Sequence, residues 1–171
     1  MHFKDQVVMA ILSRLKNTAS KESRVADCIV YTALCERKVT DDNGLMATIY
    51  MADLSAVYGL KSGSLYARVK NACNRGYSGA TVYDWCYANN NGELRPIICN
   101  ALYCDGICTI EFDMAVLELS QNVYMELKES GALEVKNDSI EDLCTHLCID
   151  IEEIDSITDY SFFHRLRKEL E

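Results

Sequence analysis

Asp105-Gly106 stands between two apolar-rich runs, 97–104 and 107–112. The pair supplies the two left-handed positions of a two-residue type I′ turn, so these runs are expected to fold back as a β-hairpin. Counting outward from the turn sets Tyr103 opposite Cys108, Ala101 opposite Ile110 and Cys99 opposite Phe112. Those three pairs form one apolar face, while Asn100 and Glu111 fall on the other. Pro96, the single proline, lies just ahead of the first strand, where a missing N–H does no harm.

Helical spacing dominates the rest of the chain. Val7, Ile11, Leu12 and Leu15 mark an amphipathic helix over 4–16. Val25, Cys28, Ile29, Thr32 and Cys35 mark a second over 21–37, with Ser20 as its N-cap. Asp41-Asp42-Asn43-Gly44 is a turn cluster. Two short helices follow, Ala52 to Tyr58 with Leu54 and Val57 inward, and Ser62 to Asn74 with Leu65, Val69 and Ala72 inward. Residues 80–88 are rich in β-branched and aromatic types and read as extended. Beyond the hairpin, Met114 to Lys128 reads as a helix capped by Asp113 and stopped at Gly131, and the tail holds two more candidates, 139–147 and 160–169.

Charge divides the 171 residues unevenly. The formal net charge is −9, from 17 basic and 26 acidic side chains. Residues 1–40 carry +3, residues 41–112 carry −2 and residues 113–171 carry −10. The acidity therefore belongs to the last third, and a nucleic-acid partner for the rest stays open. No apolar run reaches the roughly 18 residues of a membrane span, and no export signal is visible, so a cytoplasmic protein is expected. In that compartment the nine cysteines read as reduced, mostly buried thiols. A zinc site would have to draw on Cys99, Cys104, Cys108, Cys144, His146 and Cys148, none of which forms a Cys-x-x-Cys pair. Neither a metal nor a cofactor is expected.

The order helix, helix, helix–turn–helix, hairpin is that of a winged helix, which makes the fold α+β with the hairpin as wing. Gly59 permits the turn between the paired helices, and Leu54, Leu60 and Leu65 lock them together. The second helix of such a pair lies in the major groove. Lys61, Ser62, Ser64, Arg68, Lys70, Asn71 and Arg75 are then the candidate DNA contacts, with Tyr66 beside them. Lys and Arg neutralise phosphates, while Asn and Arg have the fork geometry to read base edges. Arg14, Lys16, Lys21 and Arg24 could add phosphate contacts from the N-terminal segment. The wing tip carries Cys104, Asp105 and Ile107 with no base, so a phosphate backbone would repel it.

The run Asp53-Leu54-Ser55-Ala56-Val57-Tyr58-Gly59-Leu60, followed by Ser64-Leu65-Tyr66-Ala67-Arg68-Val69-Lys70-Asn71-Ala72, resembles the N-terminal winged helix of theta-type plasmid replication initiators. Trp85, Tyr103, Asp105-Gly106-Ile107 and Ile110-Glu111-Phe112 continue the likeness over about residues 5–130. The resemblance implies a double-stranded DNA partner and a role in the replication or regulation of a plasmid or phage. Residues 1–130 would form the winged-helix domain and 131–171 an acidic helical appendage packed on it.

Catalysis has no visible basis. His2, His146 and His164 are scattered, and no phosphate loop, nucleophile elbow or zinc-protease helix occurs. The chain reads as a non-enzyme. An alternative starts from the acidic third, where Glu141, Asp142, Asp150, Glu152, Glu153, Asp155 and Asp159 could engage the basic groove of a nucleic-acid-processing host protein. That is the physical type of an anti-CRISPR inhibitor acting on a CRISPR nuclease. A third possibility uses the winged-helix core for homodimerisation.

Overall fold

A computed structural model describes residues 3–42, 44–58 and 64–131. The chain runs α1 (Phe3–Leu12), β1 (Lys16–Asn17), α2 (Arg24–Glu36), β2 (Lys38–Val39), β3 (Leu45–Tyr50), α3 (Met51–Tyr58) and α4 (Leu65–Ala72). A 3-10 turn (Val82–Asp84) then leads into β4 (Trp85–Ala88), β5 (Leu94–Pro96), β6 (Ile98–Cys104), β7 (Ile107–Phe112) and α5 (Ala115–Glu129). The described residues thus form an α+β fold with two antiparallel sheets, ordered β1-β4-β5 and β2-β3-β7-β6. No helix among them is long and apolar enough to cross a membrane.

The hairpin closes as its turn requires, with φ of 49° at Asp105 and 80° at Gly106. Tyr103 faces Cys108 and Ala101 faces Ile110, but Cys99 does not face Phe112. A bulge between Ile98 and Asn100 sets Ile98 opposite Phe112 and leaves Cys99 exposed. Ile98 takes the inward position instead and is fully buried.

β3 has no counterpart in the sequence expectation, which passed from the turn at 41–44 to a helix. Its residues alternate, with Leu45, Ala47 and Ile49 buried and Thr48 and Tyr50 exposed. The strand pairs with β7 along its whole length, from Leu45 opposite Phe112 to Tyr50 opposite Ile107. The ladder continues one step further, where Met51 N donates to the Gly106 carbonyl at 3.0 Å. The hairpin tip is thereby tied to the first residue of α3.

Helix ends also moved. α1 stops at Leu12, short of 16, because Ser13 and Arg14 turn the chain and Lys16–Asn17 pair with β4. α2 starts at Arg24, capped by Ser23 rather than Ser20; the Ser23 hydroxyl accepts from Ala26 N at 3.2 Å. At residues 80–88 the first part is the 3-10 turn, held by reciprocal bonds between Thr81 and Asp84, and only 85–88 are extended. α5 starts one residue later than expected, at Ala115, so Met114 and not Asp113 is its N-cap residue. Asp113 Oδ1 still accepts from Ala115 N at 2.8 Å, and Gly131 at φ 74° lies just past the helix end.

α2 is the centre of the molecule. Every residue from Val25 to Cys35 is buried, including Asp27 and Thr32. It touches β3 on one side and α1, α3 and α4 on the others. Asp27 accepts from Trp85 Nε1 at 3.2 Å and from Asn17 Nδ2 at 3.4 Å, which joins the helix to the three-stranded sheet. At its other end the buried Arg37 guanidinium donates to the Leu34 carbonyl and, at 3.1 Å, to Ser120 Oγ of α5. A cation is favoured there by the unpaired carbonyls of the helix C-terminus. Ile97, between β5 and β6, bridges the sheets: its N–H donates to Trp85 and its carbonyl accepts from Asp113. Pro96 ends β5, an edge strand, where its missing donor disturbs no ladder.

Candidate nucleic-acid interface

α4 positions four of the seven candidate DNA contacts. Leu65, Val69 and Ala72 recur at helical spacing and are buried where the helix meets α2 and β6. Ser64 precedes the first turn as its N-cap residue and is exposed. Arg68 and Lys70 are exposed and Asn71 is half-buried. At about 100° per residue, Arg68 and Lys70 leave opposite flanks of the outward surface, roughly 160° apart. Ala67 lies between them and is exposed, so the ridge of the helix is low where its flanks are cationic. Lys61 and Ser62 lie outside the described residues.

Arg75 does not join this face. It lies three residues past α4, its guanidinium 4.0 Å from the centre of the Tyr83 ring and donating to the Cys99 carbonyl. Its fork thus occupies a carbonyl at the β6 bulge. Tyr83 continues the attachment, because its hydroxyl accepts from Ala101 N at 2.9 Å. Arg75 is a tie between the end of α4 and the sheet, and it remains exposed.

Tyr66 is 53% exposed and leans toward the hairpin, its ring 6.2 Å from that of Tyr103. The contact joins the exposed side of α4 to β6. Among the supplementary basic residues, Arg14 pairs with Glu126 of α5. Lys16 and Lys21 are exposed and Arg24 is half-buried. The hairpin tip keeps its acidic character, with Cys104, Asp105 and Ile107 all exposed. The Gly106 carbonyl accepts from Met51 N, which ties the tip to the start of α3.

The acidic residues Glu141, Asp142, Asp150, Glu152, Glu153, Asp155 and Asp159 all lie outside the described residues, as do Cys144, His146 and Cys148. The remaining members of the zinc alternative do not converge. Cys104 is on the exposed face of the hairpin, Cys108 on the buried face and Cys99 in the bulge. Asp113 instead gathers three donors: Ala115 N, the Tyr87 hydroxyl at 3.3 Å and the Cys99 thiol at 3.9 Å. Burial, with the Asp113 charge behind it, pushes both Tyr87 and Cys99 up.

Residues the sequence reading missed are Tyr83 and Ala67. Nothing in the spacing of Tyr83 marks it as the partner of Arg75; Ala67 could have been found from its place opposite Leu65, Val69 and Ala72 on the helical wheel. Comparison with known proteins finds no matching family model, no matching curated protein and no matching solved structure.

Proposed function

We propose that this protein binds double-stranded DNA as a winged helix, with α4 as the helix that enters the major groove. The observation that carries the proposal is the division of α4 into a buried apolar face and an exposed one flanked by Arg68 and Lys70. Eight residues make a helix about 12 Å long, comparable with the roughly 12 Å width of the groove. On that docking, Arg68 and Lys70 each reach the phosphates of one wall, and Asn71 is near the base edges. Ala67 would meet a thymine methyl. The order α2, β3, α3, α4, followed after the 3-10 turn, β4 and β5 by the β6–β7 hairpin, with β3 hydrogen-bonded to β7, supports a winged-helix arrangement. Ser64, and Lys61 and Ser62 ahead of it, would add phosphate contacts at the helix start. A plasmid or phage role in replication or regulation follows from the resemblance of the α3–α4 sequence.

Fluorescence anisotropy with a mixed-sequence duplex tests this. Duplex affinity should fall steeply with salt, and the double variant Arg68→Ala/Lys70→Ala should weaken binding and flatten the log–log salt slope by about 2. Asn71→Ala should cost about 1–3 kcal/mol on a preferred sequence and much less on others. Absence of duplex binding at about 50 mM salt rejects the proposal, since non-specific phosphate attraction is strong there.

A further inference from the structure

We propose that Cys73 and Cys108 are a redox pair, which a peroxide converts into a disulfide that fastens the end of α4 to the sheet. The two sulfurs are 3.5 Å apart although the residues are 35 apart in sequence. Cys73 is the C-cap of α4 and Cys108 is on the inward face of β7, a strand with neighbours on both sides. Both backbones are held in place. Cys108 is paired with Ile49 and Tyr103, and Cys73 donates its N–H to Val69 O at 3.0 Å while its carbonyl accepts from the Tyr83 hydroxyl at 3.4 Å. A disulfide needs the sulfurs about 1.5 Å closer than this. The proposal requires that rotation of the two short side chains supply that, with the strand and helix remaining in place.

The two thiols are unequal in a way that orders the steps. Cys73 keeps 8% of its surface exposed and Cys108 none, so Cys73 is the one a small oxidant meets. The hydrogen bond between the two sulfurs holds the Cys73 thiol below its ordinary range against the opposing effect of burial, and Cys108 is pushed up by that same bond and by burial. Cys73 therefore supplies the thiolate. It attacks one oxygen of hydrogen peroxide, the O–O bond breaks, and hydroxide leaves a sulfenic acid on Cys73. The Cys108 sulfur then attacks the Cys73 sulfur, forming the S–S bond and expelling hydroxide. The two thiol protons convert both hydroxides to water. Two electrons have passed from the sulfurs to one peroxide, and a thiol reductant reverses the change.

The pair is independent of whether α4 meets DNA, so failure of either proposal leaves the other standing. Full-length protein is treated with hydrogen peroxide, alkylated under denaturing conditions and mapped by proteolysis and tandem mass spectrometry. The expected main product is a peptide cross-linked through Cys73 and Cys108, two hydrogens lighter than its separated parts and restored by dithiothreitol. The oxidised protein should unfold at higher urea than the reduced protein. In Cys108→Ala, dimedone should capture the sulfenic acid on Cys73, and the urea shift should vanish. The proposal is overturned if Cys73 and Cys108 both remain alkylatable while other thiols, such as the exposed Cys99 and Cys104, are oxidised. Wild-type mapping decides this without reference to the variant.

Discussion

Burial of the Cys28 thiol makes alkaline pH a probe of the core. Burial on α2 pushes this group from 9.0 up to about 12. In the unfolded chain the thiol ionises near its ordinary value, so between 9.0 and 12 the unfolded state binds fewer protons than the folded one. The stability this thiol contributes is complete below 9.0 and is lost as pH rises toward 12. In urea titrations the Cys28 thiol should contribute roughly 1 kcal/mol per pH unit to the fall in unfolding free energy above pH 9.0, and Cys28→Ala should make the fall shallower by that share. A fall left unchanged by Cys28→Ala would mean that this thiol ionises as easily in the folded state. At the turn, Gly106 has φ 80° with open space where a Cβ would stand. Gly106→Ala should therefore cost only the left-handed strain, about 1–2 kcal/mol by thermal unfolding.

Among the elements, α2 offers the clearest contrast between residues near one helix end. Ser23→Ala removes the hydroxyl that accepts from Ala26 N and should cost about 1 kcal/mol. Ser20→Ala should leave stability unchanged, since α2 does not begin there; calorimetric scans of the two variants check both expectations. The sequence pointed to the wrong serine because both precede an apolar helical stripe, and only tertiary placement selects between them. α4 was more legible: Leu65, Val69 and Ala72 repeat at helical spacing, and all three are buried. The diversion of Arg75 was not, for it depends on Tyr83 and on a carbonyl 24 residues away. Arg75→Ala should accordingly lower stability by about 1 kcal/mol, in an exposed setting where cation–π contacts are modest. If it instead left the unfolding midpoint unchanged and weakened duplex binding alone, Arg75 would act as a DNA contact and not as a tie. The hairpin divides likewise. Asp105-Gly106 identifies the turn and fixes the register near it, whereas the bulge at Cys99 reflects the burial of Ile98 and the strand crossing at Ile97. β3 was illegible for a related reason, because Leu45 to Tyr50 becomes a strand by pairing with β7, more than fifty residues later.

For the whole molecule, the charge figures are best taken region by region. Replacing Glu141, Asp142, Asp150, Glu152, Glu153, Asp155 and Asp159 by their amides would bring the net charge from −9 to −2. Under the DNA proposal this should tighten duplex binding at low salt, and the gain should disappear near 1 M, where screening acts within about 3 Å. Stopped-flow association rates would register it first, because long-range charge acts mainly on encounter. The anti-CRISPR-like alternative gives the opposite result for its own partner, whose capture should be lost with the same substitutions.

The bond from Met51 N to the Gly106 carbonyl also limits how this architecture could vary. A two-residue turn places that carbonyl level with the start of α3, and one inserted residue would carry it out of reach. The hairpin could not be lengthened into a projecting arm without releasing the first amide of the helix pair. Variation in this fold should therefore accumulate elsewhere, at the Asn89–Glu93 turn, which leads only into the edge strand β5. Grafted segments should be tolerated at that turn and rejected at the hairpin, with the Met51 amide exchanging its proton rapidly wherever a hairpin graft has succeeded.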